Sequence, residues 1–324
     1  MAIMPIPPER QDDWYDWLEL KLYRTHGEAF EDFFATMMET RHGENFERVA
    51  ASGRAGDRKC DGFLHETAEI FQCYGAARGG EAKKSANKTL TKKMEADYLG
   101  ASKNWKRMTR WHMVHNFIDG VGADPLHKIE DLKSRFPHHG IHLFGKMSFK
   151  KVLFQMEEPD VLKLIGRPAT QKDFENLQPP EIAAVIQAVV NANSDYLPEG
   201  IAAATVPLDK LRFNEITGSV ARKIHMGQPN TPIVEEYVEK GPIELCGITL
   251  ANEFRRRYLD LAHQDLSPTE VMIGLYDGIV GPGTPTHDRD VAAWSLLAYL
   301  FEACTIFRDR PAAELVGIPI GASS

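Results

Sequence analysis

The sequence predicts a two-part molecule: an α/β N-terminal domain, built as a small mixed sheet flanked by helices, followed by a mainly α-helical C-terminal domain. Three observations lead there. The length of 324 residues exceeds one ordinary domain core and suits two. The first 180 residues run helix, hairpin, helix, strand, helix, strand, an order that suits a sheet with helices packed on it. Charge also divides: residues 1–180 carry 27 basic and 27 acidic side chains, whereas residues 181–324 carry 11 and 19. Gln178-Pro179-Pro180 breaks the chain at that change, so the expected domains are 1–180 and 181–324.

The first helix is expected after Thr25-His26-Gly27-Glu28, which has the S/T-x-x-E form of a capping box. Phe30, Phe33, Phe34, Met37 and Met38 then recur at i, i+3, i+4, i+7 and i+8, a stripe that must face a core, with Glu31 at its margin. Residues 46–49 form a short apolar-edged segment, and residues 51–59 a glycine-containing turn. Asp61-Gly62-Phe63-Leu64 and Glu69-Ile70-Phe71-Gln72-Cys73-Tyr74 are strands joined through His65-Glu66-Thr67. A lysine-rich helix follows over residues 83–101. Strands are expected within 108–118 and at 141–143, on either side of a helix over 126–136. The C-terminal domain holds helices at 184–192, 232–239, 247–262, 268–276 and 291–307, punctuated by Pro242, Pro268 and Gly281-Pro282-Gly283-Thr284-Pro285.

Composition narrows the function. Hydrophobic residues make up 43% and charged residues 26%, so the chain is globular, and a net charge of −8 argues against a general polycation. Cys60, Cys73, Cys246 and Cys304 stand singly, which excludes a disulfide scaffold and a zinc ribbon and fits a reducing cytoplasm. The N-terminus lacks the basic-then-apolar pattern of a signal peptide. The longest apolar stretch, 291–307, is broken by Ser295 and Glu302 and is expected as a buried core helix, not a membrane span. A soluble cytoplasmic protein without membrane contact follows. No G-x-x-x-x-G-K-[ST], G-x-S-x-G or strand-borne G-x-G-x-x-G occurs, leaving ATPase, acyl-transfer and dinucleotide chemistry without a foothold. His112, His115, His138 and His139 lack the cysteines or the H-E-x-x-H arrangement that would argue for zinc.

Residues 78–110 hold ten basic and three acidic side chains, which predicts an anion-facing surface. Its contact residues are Lys83, Lys84, Lys88, Lys92, Lys103, Lys106, Arg107 and Arg110, although a solvated helix face has the same pattern. Beside it, Gln72 and Tyr74 share one face of a strand opposite Asp61 on the preceding one. Hard oxygens so placed suit Mg²⁺, which stabilises charge on a phosphoryl group and lowers the pKa of an attacking water. Asp57 and Asp61 could instead serve a glycine-rich turn.

The stretch from Gly56-Asp57 through Asp61-Gly62 to Gln72, with Phe30-Glu31 upstream, resembles the Mrr-type branch of the PD-(D/E)xK nucleases, whose fold is restriction-endonuclease-like. That resemblance implies Mg²⁺ (or Mn²⁺) held by Glu31, Asp61 and Gln72, with DNA as substrate. Tyr74 stands where the family places its lysine, and a neutral phenol supplies no positive charge. Three readings stay open. The lysine has moved to the next helix, where Lys84, Lys88, Lys92 and Lys93 are candidates; the site binds metal but cleaves poorly; or the fold only binds nucleic acid. Asp57 and Tyr74 would then line the site.

The segment Tyr299-Leu300-Phe301-Glu302-Ala303-Cys304-Thr305-Ile306-Phe307 resembles the ending of C-terminal domains in bacterial ABC-three component (ABC-3C) defence systems. Asp209-Lys210, Asn214-Glu215-Ile216, Glu236-Tyr237 and Phe254-Arg255-Arg256-Arg257-Tyr258 add to the likeness, as does Lys92-Lys93-Met94-Glu95-Ala96-Asp97 in the first domain. It implies an effector that acts with a separate ABC-type ATPase and a small middle component. Homo-oligomers are an open possibility, and an inactive adaptor binding nucleic acid and partners is the alternative.

Overall fold

The computed structural model describes residues 6–50, 58–77, 80–191, 210–244, 246–264, 266–303 and 306–307. The chain forms two compact units, Met1–Pro168 and Ala169–Ser324. Residues ahead of the Pro179-Pro180 pair pack with the helices that follow: Lys223 Nζ donates to Ala169 O at 2.8 Å and Asn230 Nδ2 to Phe174 O at 2.9 Å. The two prolines open a helix, where a missing N–H has no partner to lose.

The first unit runs α1 (Gln11–Arg24), α2 (Gly27–His42), β1 (Phe46–Arg48), β2 (Gly62–Leu64), β3 (Glu69–Tyr74), α3 (Gly80–Asn104), β4 (Arg110–His115), α4 (Ala123–Arg135), β5 (Gly140–Phe144), α5 (Lys146–Leu153) and α6 (Glu158–Ile165). The five strands lie in the order β1-β2-β3-β4-β5. β1, β2 and β3 are antiparallel neighbours; β4 and β5 continue parallel to β3, each after a helical crossover.

Strand alternation explains the two faces. Phe71 points to α2, where Phe34 meets Phe46, Phe71, Phe144 and Phe149 with ring centroids 5.4–6.1 Å apart. Ile70 points the other way, into a core with Leu90, Met94 and Tyr98 of α3 and Trp111 and Met113 of β4. The five stripe residues of α2 are all buried.

Two local expectations are corrected. The Thr25 hydroxyl donates to Lys21 O at 2.5 Å and so closes α1, while the N-cap of α2 is His26. No capping box forms there. Instead Gly27, at φ +54°, donates its N–H to Gly75 O at 3.0 Å and ties the start of α2 to the end of β3. The apolar helix expected over 291–307 ends at Glu302.

The second unit is helical: α7 (Gln171–Glu175), α8 (Pro179–Asn191), α9 (Lys210–Phe213), α10 (Gly218–Gly227), α11 (Thr231–Lys240), α12 (Cys246–Ala262), α13 (Pro268–Val280) and α14 (His287–Glu302). Helix α14 lies against α8, α10, α11 and α13, with Trp294, Leu296, Leu297 and Phe301 buried. Its buried Asp290 carboxylate accepts from Tyr276 Oη at 2.7 Å and Trp294 Nε1 at 3.0 Å, which fixes α13 on α14. A capping box does form at α13, between Ser267 and Glu270. Among the described residues no helix is long and apolar enough to cross a membrane.

Candidate active site

The site begins with an irregularity in β2. Gly62 is the register partner of Phe71, yet the Asp61 N–H also donates to Phe71 O, at 2.8 Å. Two residues of one strand therefore face one of the other, the arrangement of a β-bulge, which re-aims a side chain. Asp61 is turned across β3. Its Oδ2 accepts from Gln72 Nε2 and from the Cys73 N–H, both at 2.6 Å. Both side chains are buried, Asp61 5% and Gln72 3% exposed. Gln72 Oε1 is buried with no hydrogen-bond partner, which is costly for an amide oxygen and leaves a hard donor beside the carboxylate.

The neighbouring charges act on the Cys73 thiol. Burial pushes it well above its ordinary value; Asp61 and Glu31 add to the rise and Lys93 opposes it. Glu31 itself is exposed on α2. Tyr74 turns towards α3, where its hydroxyl hydrogen-bonds the Thr89 side chain; burial raises its pKa, so it remains neutral.

Helix α3 distributes its lysines over different faces. Lys93 shares the face of Thr89 and pairs with the buried Asp97 at 2.6 Å. Lys88 and Lys92 instead line a groove of about 490 Å³ against α4, with Asp124, His127, Lys128 and Asp131. Lys103, Lys106, Arg107 and Arg110 are exposed at the other end of the sheet, where β3 and β4 begin. There Arg110 pairs with Glu69 at 2.8 Å. At 25 residues α3 spans roughly 37 Å, so its basic side chains do not converge on one point. Asp57 lies outside the described residues, as do the side chains of Lys83 and Lys84.

The structure thus brings together Asp61 and Gln72, while Lys93 of α3 is near enough to act on the Cys73 thiol beside them. Among the described residues no group of three or more His, Cys, Asp and Glu side chains is placed to hold a metal ion. The oxygens that the site itself offers are those of the Asp61 carboxylate and the orphaned Gln72 Oε1. The four histidines form no metal-holding group: His112 bonds Glu69 at 2.7 Å, His139 bonds Tyr98 Oη at 2.8 Å with the His138 ring 4.2 Å from its own, and His115 is buried, its pKa lowered to about 4 by loss of solvent. Two residues beside the site escaped the sequence reading, Lys59 and Asp97. The signal for Asp97 was its i, i+4 spacing from Lys93.

No curated protein and no solved structure matches the chain. Residues 181–308 match the family model of C-terminal domain 10 of the ABC-three component (ABC-3C) systems. The match covers the helical unit from α8 through α14 and supports the chain as a component of an ABC-3C system.

Proposed function

We propose that the chain is the effector of an ABC-3C defence system, with a metal-dependent phosphodiesterase in its sheet-bearing unit that acts on DNA. The observation that carries this reading is the Asp61–Gln72 pair: a buried carboxylate on one strand and an amide whose oxygen has no partner on the next. The order helix, three antiparallel strands, helix, strand around that pair supports the restriction-endonuclease-like fold expected from the sequence. Asp61 and Gln72 would hold Mg²⁺ or Mn²⁺, with Glu31 approaching from α2. The bound ion would stabilise charge on the scissile phosphate and acidify a water. Bonds from Gln72 and the Cys73 N–H keep Asp61 oriented, and Lys93 would bring positive charge to the face that Tyr74 leaves neutral.

The helical unit supports partnership with the other ABC-3C components, which we take to be an ABC-type ATPase and a small middle component. Plasmid DNA incubated with the wild type and with Asp61→Ala, in Mg²⁺, Mn²⁺ or EDTA, alone and with those partners, tests the reading. Metal-dependent nicking lost in the variant is the expected result. A second reading, an adaptor that binds nucleic acid and partners without cleaving, is favoured by Tyr74 at the position where the nucleases carry lysine. It predicts no nicking under any condition and salt-sensitive DNA binding that survives Asp61→Ala.

A further inference from the structure

We propose that Asp97 is a positioning residue of this site: it holds the Lys93 ammonium beside the Asp61–Gln72 pair, so that α3 supplies the charge absent from β3. The inference rests on the phosphodiesterase reading above.

The geometry is a single row on α3. Thr89, Lys93 and Asp97 stand at i, i+4 and i+8 and therefore on one helix face. Thr89 bonds the Tyr74 hydroxyl, which anchors one end of the row at the last residue of β3. Asp97 anchors the other end. It is 1% exposed, and each of its oxygens takes an ammonium: Lys93 Nζ at 2.6 Å on Oδ2 and Lys59 Nζ at 2.9 Å on Oδ1. One lysine would neutralise a buried carboxylate; two leave the cluster positive. The 2.6 Å contact is an ion pair and not an aligned hydrogen bond, so Asp97 holds the Lys93 head by charge and leaves its three N–H donors available.

The second ammonium joins the same carboxylate to the segment that leads into Asp61. Arg58 and Lys59 both adopt positive φ, +53° and +64°, which side-chain-bearing residues keep only when their surroundings hold them there. The surroundings are the second half of α3. Trp105 Nε1 donates to Arg58 O at 3.2 Å, and the Lys59 stem crosses Gly100 so closely that a Cβ there would lie 2.6 Å from Lys59 Cγ. Asp97 thus sets the place of Lys93, while the approach to Asp61 is held by Trp105 and by the Lys59 stem against Gly100.

The test is a mutant cycle on metal-dependent plasmid nicking, with kcat and KM for DNA measured for the wild type, Asp97→Asn, Lys93→Met, the double variant and Lys59→Met, each checked by thermal melting. Lys93→Met is expected to lower kcat by about 10²-fold, the usual effect of removing one electrostatic stabiliser of a transition state. Asp97→Asn is expected to lower kcat about tenfold or more with little change in KM, and to add nothing in the Lys93→Met background, because it acts through Lys93. Lys59→Met is expected to keep most of the wild-type kcat.

Multiplicative losses in the double variant, wild-type kcat in Asp97→Asn, or a Lys59→Met defect equal to that of Asp97→Asn would each overturn the inference while nicking by the wild type upheld the reading beneath it. Absence of nicking by the wild type with every metal and partner would overturn both. If Asp97→Asn fails to fold, Asp97→Leu with Lys59→Met removes the buried charge together with one of its partners and carries the same expected dependence on Lys93.

Discussion

At the scale of single residues, burial and hydrogen bonding decide which groups keep their charge. Two N–H donors converge on one Asp61 oxygen and orient that carboxylate, and Asp61→Ala should abolish metal-dependent nicking. His115 shows what burial does to charge. Loss of solvent lowers its pKa to about 4, below the ordinary value near 6.5. Between those two values the native state binds fewer protons than the unfolded chain, so stability rises with pH across that window. Stability is complete above pH 6.5 and declines on acidification to pH 4, by on the order of 3 kcal/mol. The ring resonances of His115 should titrate near pH 4, and His115→Asn should lack that stability slope.

Glu69 works over a more acid range. Its bond to His112, aided by Arg110, holds it at about 2 against burial, so its contribution is present above pH 4.5 and lost as the pH falls to about 2. Acid unfolding of Glu69→Gln should be flatter over that interval.

At the scale of elements, close approach sets what each strand and helix can carry. A Cβ on Gly62 would lie 2.4 Å from the Phe46 ring, so β1 and β2 pack only because that position lacks a side chain. Gly62→Ala should destabilise the protein by about 1–3 kcal/mol, the range for overpacking, read from chemical denaturation. It should also weaken nicking, since the same residue follows the bulge that aims Asp61. Helix α3 is the complementary case: one face meets the sheet core, a second carries Thr89, Lys93 and Asp97, and a third turns Lys88 and Lys92 to α4.

At the scale of the whole molecule, the proposed function gives the two units different parts. The sheet-bearing unit holds the site and the basic side chains; the acidic helical unit matches the ABC-3C C-terminal domain. DNA binding should be strongly salt-dependent. Each phosphate contact removed should lower the magnitude of the log K against log salt slope by roughly 0.9 on duplex DNA. Lys88→Ala with Lys92→Ala should therefore reduce it by about 2 if the groove beside α4 follows the backbone, and leave it unchanged if the nucleic acid lies elsewhere. Binding titrations at several salt concentrations read this directly.

Much of this organisation was legible in the order of residues. Strand alternation around Gln72 and the apolar stripe of α2 are local periodicities, and a chain imposes them on any core it can form. Other features were not legible. Helix α1 interleaves charges with its apolar positions and buries Asp16 and Glu19 among them, so no clean face marks it. Thr25 has one hydroxyl, and only the packed chain decides that it closes α1 instead of opening α2.

The same limit applies at the site. Sequence by itself determined that Asp61, Gln72 and a lysine-rich helix would be neighbours, because a hairpin and a short crossover allow few arrangements. Which lysine the proposed site uses follows only from tertiary structure. Helix phase places Lys93 on the face of Thr89 and Asp97, and a buried carboxylate must be paired where it lies. That requirement joins residue 59 to residues 93 and 97 in space, a link that no local pattern in the chain encodes.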